Sequence, residues 1–293
     1  MSIMQTGSGA LTSAPLPRAR KRRERWRGWM LAIPLAVFAL LFFVGPFVSV
    51  VQAALRTPEV AVTADNFVRA FTNTVFWRST GNTLMTAASA VLATAAIALP
   101  FAYGLVMRPR GRQVMLSLLF APLVINGVVR IYGLQATLNL INSTLIDWGW
   151  ISAPLPLNYS ILGIVIGFTV FMFPIMAISV YASMSRLDQS LIAAAKTLGA
   201  NRIRVFVSVV LPTAVPGLVS GGILVFAGAA GSFILPAMMG GGRILTLPQL
   251  VYNGISTDVD WGYASALAII LVIVVAPFLF MASTKQQGSR STR

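Results

Sequence analysis

The chain has 293 residues, of which 57% are hydrophobic and only 10% charged, with a mean hydropathy of +0.81; soluble domains carry roughly 25% charge. Twenty-two Lys and Arg against seven Asp and Glu give a formal charge of +15, but the charges sit in short clusters between long apolar runs, which is not how a nucleic-acid surface is built. With no Cys and no His there is no disulfide, no thiol nucleophile and none of the commonest metal ligand and general base, and no GxxxxGKS or GxxxxGKT stretch cradles a nucleotide phosphate. The composition predicts an all-α integral membrane protein with no catalytic residue, metal site or cofactor of its own.

Residues 1–28 open the chain with a stretch rich in Ser, Gly, Thr and Pro, followed by a basic run at 18–27; this predicts a disordered tail whose basic end meets anionic headgroups. A bilayer core about 30 Å thick needs about 20 apolar residues per helix, and six such runs follow. They cover Trp29 to Leu55, Thr80 to Met107, Val114 to Leu138, Ser160 to Met184, Val209 to Ala237 and Tyr263 to Met281. The first is longer than the 7–15 residues of a secretory signal and is not closed by a small-x-small site, so it reads as an anchor. None alternates with the period of two that a barrel strand requires. The transmembrane body thus spans 29–282, and 283–293 form a second polar tail.

Lys and Arg accumulate on the cytoplasmic side of short loops. With both termini inside, 17 of the basic residues fall in the cytoplasm, and Arg56, Arg69, Arg78, Arg130 and Arg243 fall outside or at an outer end. Five acids, Glu59, Asp65, Asp147, Asp258 and Asp260, also fall outside. Both termini of this multi-pass protein are therefore expected in the cytoplasm.

No span holds an acid or a histidine, so the titratable group that a proton-coupled carrier needs at membrane depth is missing. Arg130, near the outer end of the third span, either snorkels to the interface or orders a gate or outer loop. Asn126 is read as a polar tie between helices. The fifth span combines Pro212, Pro216 and Pro236 with Gly217, Gly221, Gly222, Gly228 and Gly231; it is either a tight packing helix or a bendable one lining a path. Lacking energy coupling of its own, the protein is a passive pore or is driven by a partner.

The loop before that span, Ser185 to Pro212, reads SRLDQSLIAAAKTLGANRIRVFVSVVLP. Asp188 suits a helix N-cap, Leu191 to Leu198 gives two turns of helix formers, and Gly199 suits the C′ position. Ala193, Ala194 and Ala195 remove bulk from the helix surface while Leu191, Ile192 and Leu198 leave apolar groups. Such a helix needs a groove, either on the chain's own spans or on a partner.

The spacing resembles the signature EAA-x3-G-x9-I-x-LP of the membrane subunits of type I ABC importers. Ala194, Ala195, Gly199, Leu211 and Pro212 stand at matching positions, Val209 takes the Ile place, and Ala193 replaces the usual Glu. Pro122 with Val129, Arg130, Ile131 and Tyr132, then Asn142 to Leu145, Phe233 to Arg243 and Asp260 to Ala264, are similar to the spermidine/putrescine-type permease group. The likeness covers about 63–282.

It implies a six-helix permease with a cytoplasmic coupling helix in the loop 185–208, between helices 4 and 5. It also implies two ATPase subunits that bind the ATP, a second, homologous permease chain, a periplasmic substrate-binding protein, and no nucleic-acid partner. Asp188, Ala193, Ala194, Ala195 and Gly199 would meet an ATPase. Tyr132, Gln135, Ser232, Phe233 and Asp260 are the candidates for the substrate path, since aromatic faces hold a passing amine weakly, and Asp147, Asp258 and Asp260 form an outer acidic group. The expected cargo is a polyamine such as spermidine or putrescine, or a related amine. The alternative is a passive channel with no ATPase.

Overall fold

The computed structural model describes residues 33–34, 37–57, 62–107, 111–185 and 187–288. The expected tail over 1–28 lies outside them, as do Glu59, Arg108, Arg110, Arg186 and the last five residues. Among the described residues the regular structure is all helix, with no strand.

Residues up to Val50 form a unit of their own. It holds most of α1 (Val37–Ala54), which is apolar enough to cross a membrane and opens with a wide π turn at Leu40–Val44. Its large side chains, Leu40 to Val44 among them, are exposed, as expected of a helix surrounded by hydrocarbon rather than water.

The second unit is built around three long helices: α3 (Thr74–Met107), α6 (Ile161–Met184) and α8 (Arg202–Ala230). All three pack on one another. The sequence makes this close approach possible by putting small residues on the facing stripes. In α3 these are Ala87, Ala90, Thr94, Ala98 and Ala102, three or four residues apart and so on one face. A Cβ at Gly217 of α8 would lie 2.5 Å from the Ser179 carbonyl oxygen and 2.7 Å from the Val180 Cα of α6. One at Gly221 would lie 2.9 Å from both the Met176 sulfur and the Ser179 Cβ. Gly217 facing 179–180 and Gly228 facing Met172 make the pair antiparallel. Of the two readings of the glycine-rich span, tight packing is the one these contacts describe.

Most hydroxyls on these helices are satisfied inside their own backbone, as the bilayer demands, although Ser79 Oγ and Thr80 Oγ1 on α3 are buried without a hydrogen-bond partner. Thr83 donates to the Ser79 carbonyl, Thr94 to that of Ala90 and Thr169 to that of Val165. Ser183 instead crosses to the Thr213 carbonyl at 2.6 Å, tying α6 to α8.

Two spans differ from expectation. The third is broken into α4 (Arg112–Val124) and α5 (Gly127–Asp147), which meet at 105°. Asn126 takes an extended ψ of 135° and its side chain caps α5 by accepting the Val128 amide at 2.9 Å. It is a helix cap, not a tie between helices, and a residue that starts a helix in this way also ends the one before it. The fifth span begins early, at Arg202, and ends at Ala230, so that Ser232 and Phe233 fall in a break before the short α9 (Ile234–Met239). Within it, Phe206–Val210 form a π turn. Pro212 supplies a reason: its ring cannot sit over a regular i−4 carbonyl, and one wider turn relieves the clash.

The remaining elements are the short α2 (Asp65–Thr72), α7 (Gln189–Thr197), α10 (Leu247–Ser256) and the last helix, α11 (Trp261–Gly288). Among the described residues four helices are long and apolar enough to cross a membrane. The bent α4–α5 pair counts as a fifth span if taken as one, and the apolar part of α11 is shorter.

Because the Gly217 contact is backbone on backbone, Gly217→Ala is expected to destabilise the bundle by roughly 1–3 kcal/mol. Gly104→Ala, where a Cβ meets nothing within 4 Å, should be neutral or stabilising by up to ~1 kcal/mol. Thermal unfolding of the two variants in detergent, followed by tryptophan fluorescence, checks the contrast.

Candidate functional site

The loop that the sequence singles out forms the short helix α7. Asp188 Oδ1 accepts the Ser190 amide at 2.8 Å, and these bonds from Ser190 hold its carboxyl below the usual carboxylate range. At the other end Gly199 adopts φ +81°, and the Ala200 amide reaches back to the Ala195 carbonyl at 3.0 Å. That is the bond of a Schellman motif, which favours glycine at this place. Asn201 then starts α8 by accepting the Arg204 amide at 2.8 Å.

Among the described side chains of α7, one side is engaged with its own chain. Ile192 and the preceding Leu187 are buried with Met184, Val205 and Val210, and Ala195 packs at the edge of this cluster. Ala193 and Ala194 are exposed, as are Leu191 at 54% and Leu198 at 88%. A flat alanine surface flanked by two bare leucines therefore faces away from the chain.

The five expected path residues are not brought together. Tyr132 on α5 is 62% exposed, and Gln135 donates to the Met238 carbonyl at 3.1 Å, fastening α5 to α9. Ser232 is half-buried in the break after α8, and Phe233 lies against the Tyr252 ring with centroids 4.3 Å apart. Arg130 is half-buried, with its guanidinium 3.9 Å over the Phe171 ring and Nη2 lacking a hydrogen-bond partner. It is held against α6 by a cation–π contact.

Asp260 is the real surprise of the set. It pairs with Arg69 at 2.9 Å and also accepts the Tyr263 amide at 2.9 Å, so that it caps α11. Arg69 lies 5.0 Å from the centre of the Tyr263 ring, and Asn73 donates to the Tyr263 hydroxyl at 3.3 Å. With Thr72 and Asp258 these residues line a polar cavity of about 410 Å³. Asp147, at the end of α5, does not line it, so the expected group of three acids is divided. Sequence reasoning missed Arg69, whose partner is 191 residues away and leaves no local signal.

Partial burial pushes the Asp260 carboxyl up, but the Tyr263 amide and the hydrogen bond and charge of Arg69 outweigh it and hold it below the usual range. Such a group stabilises the fold above its unfolded pKa, about 3.9, and loses that contribution as pH falls through the lower folded value. Asp260→Asn is therefore expected to lower the thermal midpoint at pH 6, with the difference from the native chain shrinking as pH falls below the unfolded value. Because Arg69 is more than half exposed, the ion pair accounts for no more than ~1 kcal/mol of this. Unfolding curves of both proteins from pH 6 downward check the convergence.

Residues 96–290 match the family described as binding-protein-dependent transport system inner membrane component. The chain is similar to the spermidine/putrescine transport system permease protein of Haemophilus influenzae, 30% identical over 224 residues, covering 75% of this chain and 78% of that one. It is also similar to a permease named for molybdenum transport in Haloferax volcanii, 31% identical over 264 residues and covering 87% and 90% of the two chains. A third relative, named for 2-aminoethylphosphonate transport in Salmonella typhimurium, is 28% identical over 279 residues, 90% and 94% of the chains. The fold matches a chain of a bacterial ABC transporter that imports the acidic polysaccharide alginate, with TM-score 0.73, 17% identity and coverage of 94% and 100%. It also matches a chain of the alginate transporter in complex with a periplasmic protein bound to alginate pentasaccharide, with TM-score 0.72, 15% identity and coverage of 90% and 95%. The chain thus belongs to the family of binding-protein-dependent transport system inner membrane components, the permease subunits of ABC importers.

Proposed function

We propose that the chain is one of two permease subunits of an ATP-driven importer, working with two ATPase subunits and a periplasmic binding protein, and that its cargo is a small amine of the polyamine kind. The observation that carries the reading is α7. Its exposed alanine surface, with Leu191 and Leu198 on either side, fits a close helix-in-groove contact, and small residues transmit a displacement better than long flexible ones. In this reading Asp188 and Gly199 fix the two ends of the helix, and Ala193, Ala194 and Ala195 seat it in a groove of an ATPase. ATP bound by that partner closes the ATPase pair and drives α7 inward.

The positive-inside pattern supports a cytoplasmic location for α7 and both termini. The name of the Haemophilus influenzae relative favours spermidine or putrescine as cargo, and Tyr132 offers an exposed aromatic face to an amine. The Salmonella typhimurium relative is named for an aminophosphonate and the Haloferax volcanii one for molybdenum, so the amine reading rests on the first relative and on Tyr132.

Ala194→Arg or Gly199→Arg is expected to leave the protein inserted but abolish both uptake and substrate-stimulated ATP hydrolysis. The assembly, co-purified from its native host and reconstituted in vesicles, is assayed with radiolabelled putrescine and spermidine. Normal transport by both variants defeats the coupling role of α7, and uptake without ATP points to a channel.

A further inference from the structure

The helix α2 plays no part in the proposed coupling, lies outside the family match at 96–290, and is too short to cross a membrane. Its eight residues, Asp65 to Thr72, divide into three arcs. Asn66 and Ala70 are buried, and Asn66 donates to the carbonyls of Ala54 and Arg56, both at 3.0 Å, which fixes the helix on one side. A second arc, Asp65, Arg69 and Thr72, is polar and exposed, with Arg69 paired to Asp260. The third is apolar and exposed, with Val68 at 56% and Phe71 at 50%.

The apolar arc continues beyond the helix. One residue, Asn73, separates α2 from the long apolar α3, and in its first turn Trp77 is 57% exposed. The Trp77 indole N–H donates to the Phe71 carbonyl at 2.8 Å, and its ring lies 6.1 Å from that of Phe71. Trp261, the first residue of α11, is 60% exposed at the same end of the bundle, where Asp260 meets Arg69.

We propose that α2 is an interfacial helix. It lies in the headgroup layer of the bilayer where α3 and α11 enter it, with Val68, Phe71 and Trp77 dipping into the acyl boundary and Asp65, Arg69 and Thr72 turned to water. The occupant of the apolar arc is lipid because the arc runs directly into a membrane span, so the surface of the bilayer must pass at this level. A helix with one polar and one apolar side lies in that plane, and tryptophan, with an apolar ring and a polar N–H, prefers the same depth. The consequence is a fixed level for the molecule. The polar cavity of Arg69, Asp258 and Asp260 sits at the water edge of the headgroups and not within the hydrocarbon.

The chain has no cysteine, so single nitroxide labels can be placed without removing native thiols. Val68→Cys, Phe71→Cys, Asp65→Cys and Thr72→Cys are labelled in the full chain and in the co-purified assembly. Both are held in nanodiscs of phosphatidylethanolamine and phosphatidylglycerol. Labels at 68 and 71 are expected to collide with oxygen several-fold more, relative to a water-soluble nickel chelate, than labels at 65 and 72. Preference for the nickel chelate at 68 and 71 overturns the proposal in favour of water, and exclusion of both reagents overturns it in favour of a covering protein. Should the cysteine variants fail to insert, quenching by brominated phospholipid replaces them. Native protein is expected to lose more emission than Trp77→Phe, and equal fractional loss overturns the proposal.

Discussion

The close approach of α6 and α8 is the contact on which the rest of the bundle depends. In water a helix pair is driven together by the hydrophobic effect, but among lipid tails that force vanishes and only packing and hydrogen bonds hold helices in place. Gly217 and Gly221 let the α8 backbone rest on Ser179 and Val180, and the Ser183 bond to Thr213 closes the same seam at its end. The alanine stripe of α3 completes the core from a third side. α7 hangs between the end of α6 and the start of α8, and its buried Ile192 sits among Met184, Val205 and Val210 from those two helices.

The two ends of the bundle are built differently, in keeping with the roles proposed for them. At the α7 end the polar groups serve to stop and start helices, through Asp188, Gly199 and Asn201, and leave a smooth apolar face uncovered. At the opposite end they join elements far apart in the chain, through Arg69 with Asp260 and Asn73 with Tyr263. The first arrangement suits a part that docks on a moving partner. The second suits a frame that holds α2, α3 and α11 in register at the membrane surface.

The sequence made legible whatever depends on local or periodic signals. Long apolar runs announced the helices, the spacing from Ala193 to Pro212 announced both α7 and the family, and Gly199 announced its left-handed turn. What it hid depends on geometry. The break at Asn126 was concealed because a polar residue in an apolar run looks like an inward-facing tie until its ψ angle is known. The pairing of Arg69 with Asp260 joins residues 191 apart, which no window of sequence connects. The proposed path residues were chosen for their chemistry alone, and Gln135 and Phe233 turned out to be fastening α5 to α9 and covering Tyr252.

For the coupling role proposed for α7, the π turn at Phe206–Val210 bears on how a displacement would enter the membrane. A wide turn adds about one residue to the helical count, and one residue is worth about 100° of rotation. The stub of α8 that carries Arg202 and Arg204 is thus out of phase with the glycine-rich stretch that packs on α6. Tightening that single turn toward α geometry would turn the stub about the helix axis while leaving the Gly217 seam where it is, against the Pro212 clash that the wide turn relieves. In the proposed mechanism, a push on α7 would be taken up as a twist, like a key turning in a fixed sleeve, rather than as a slide of the whole span through the bilayer.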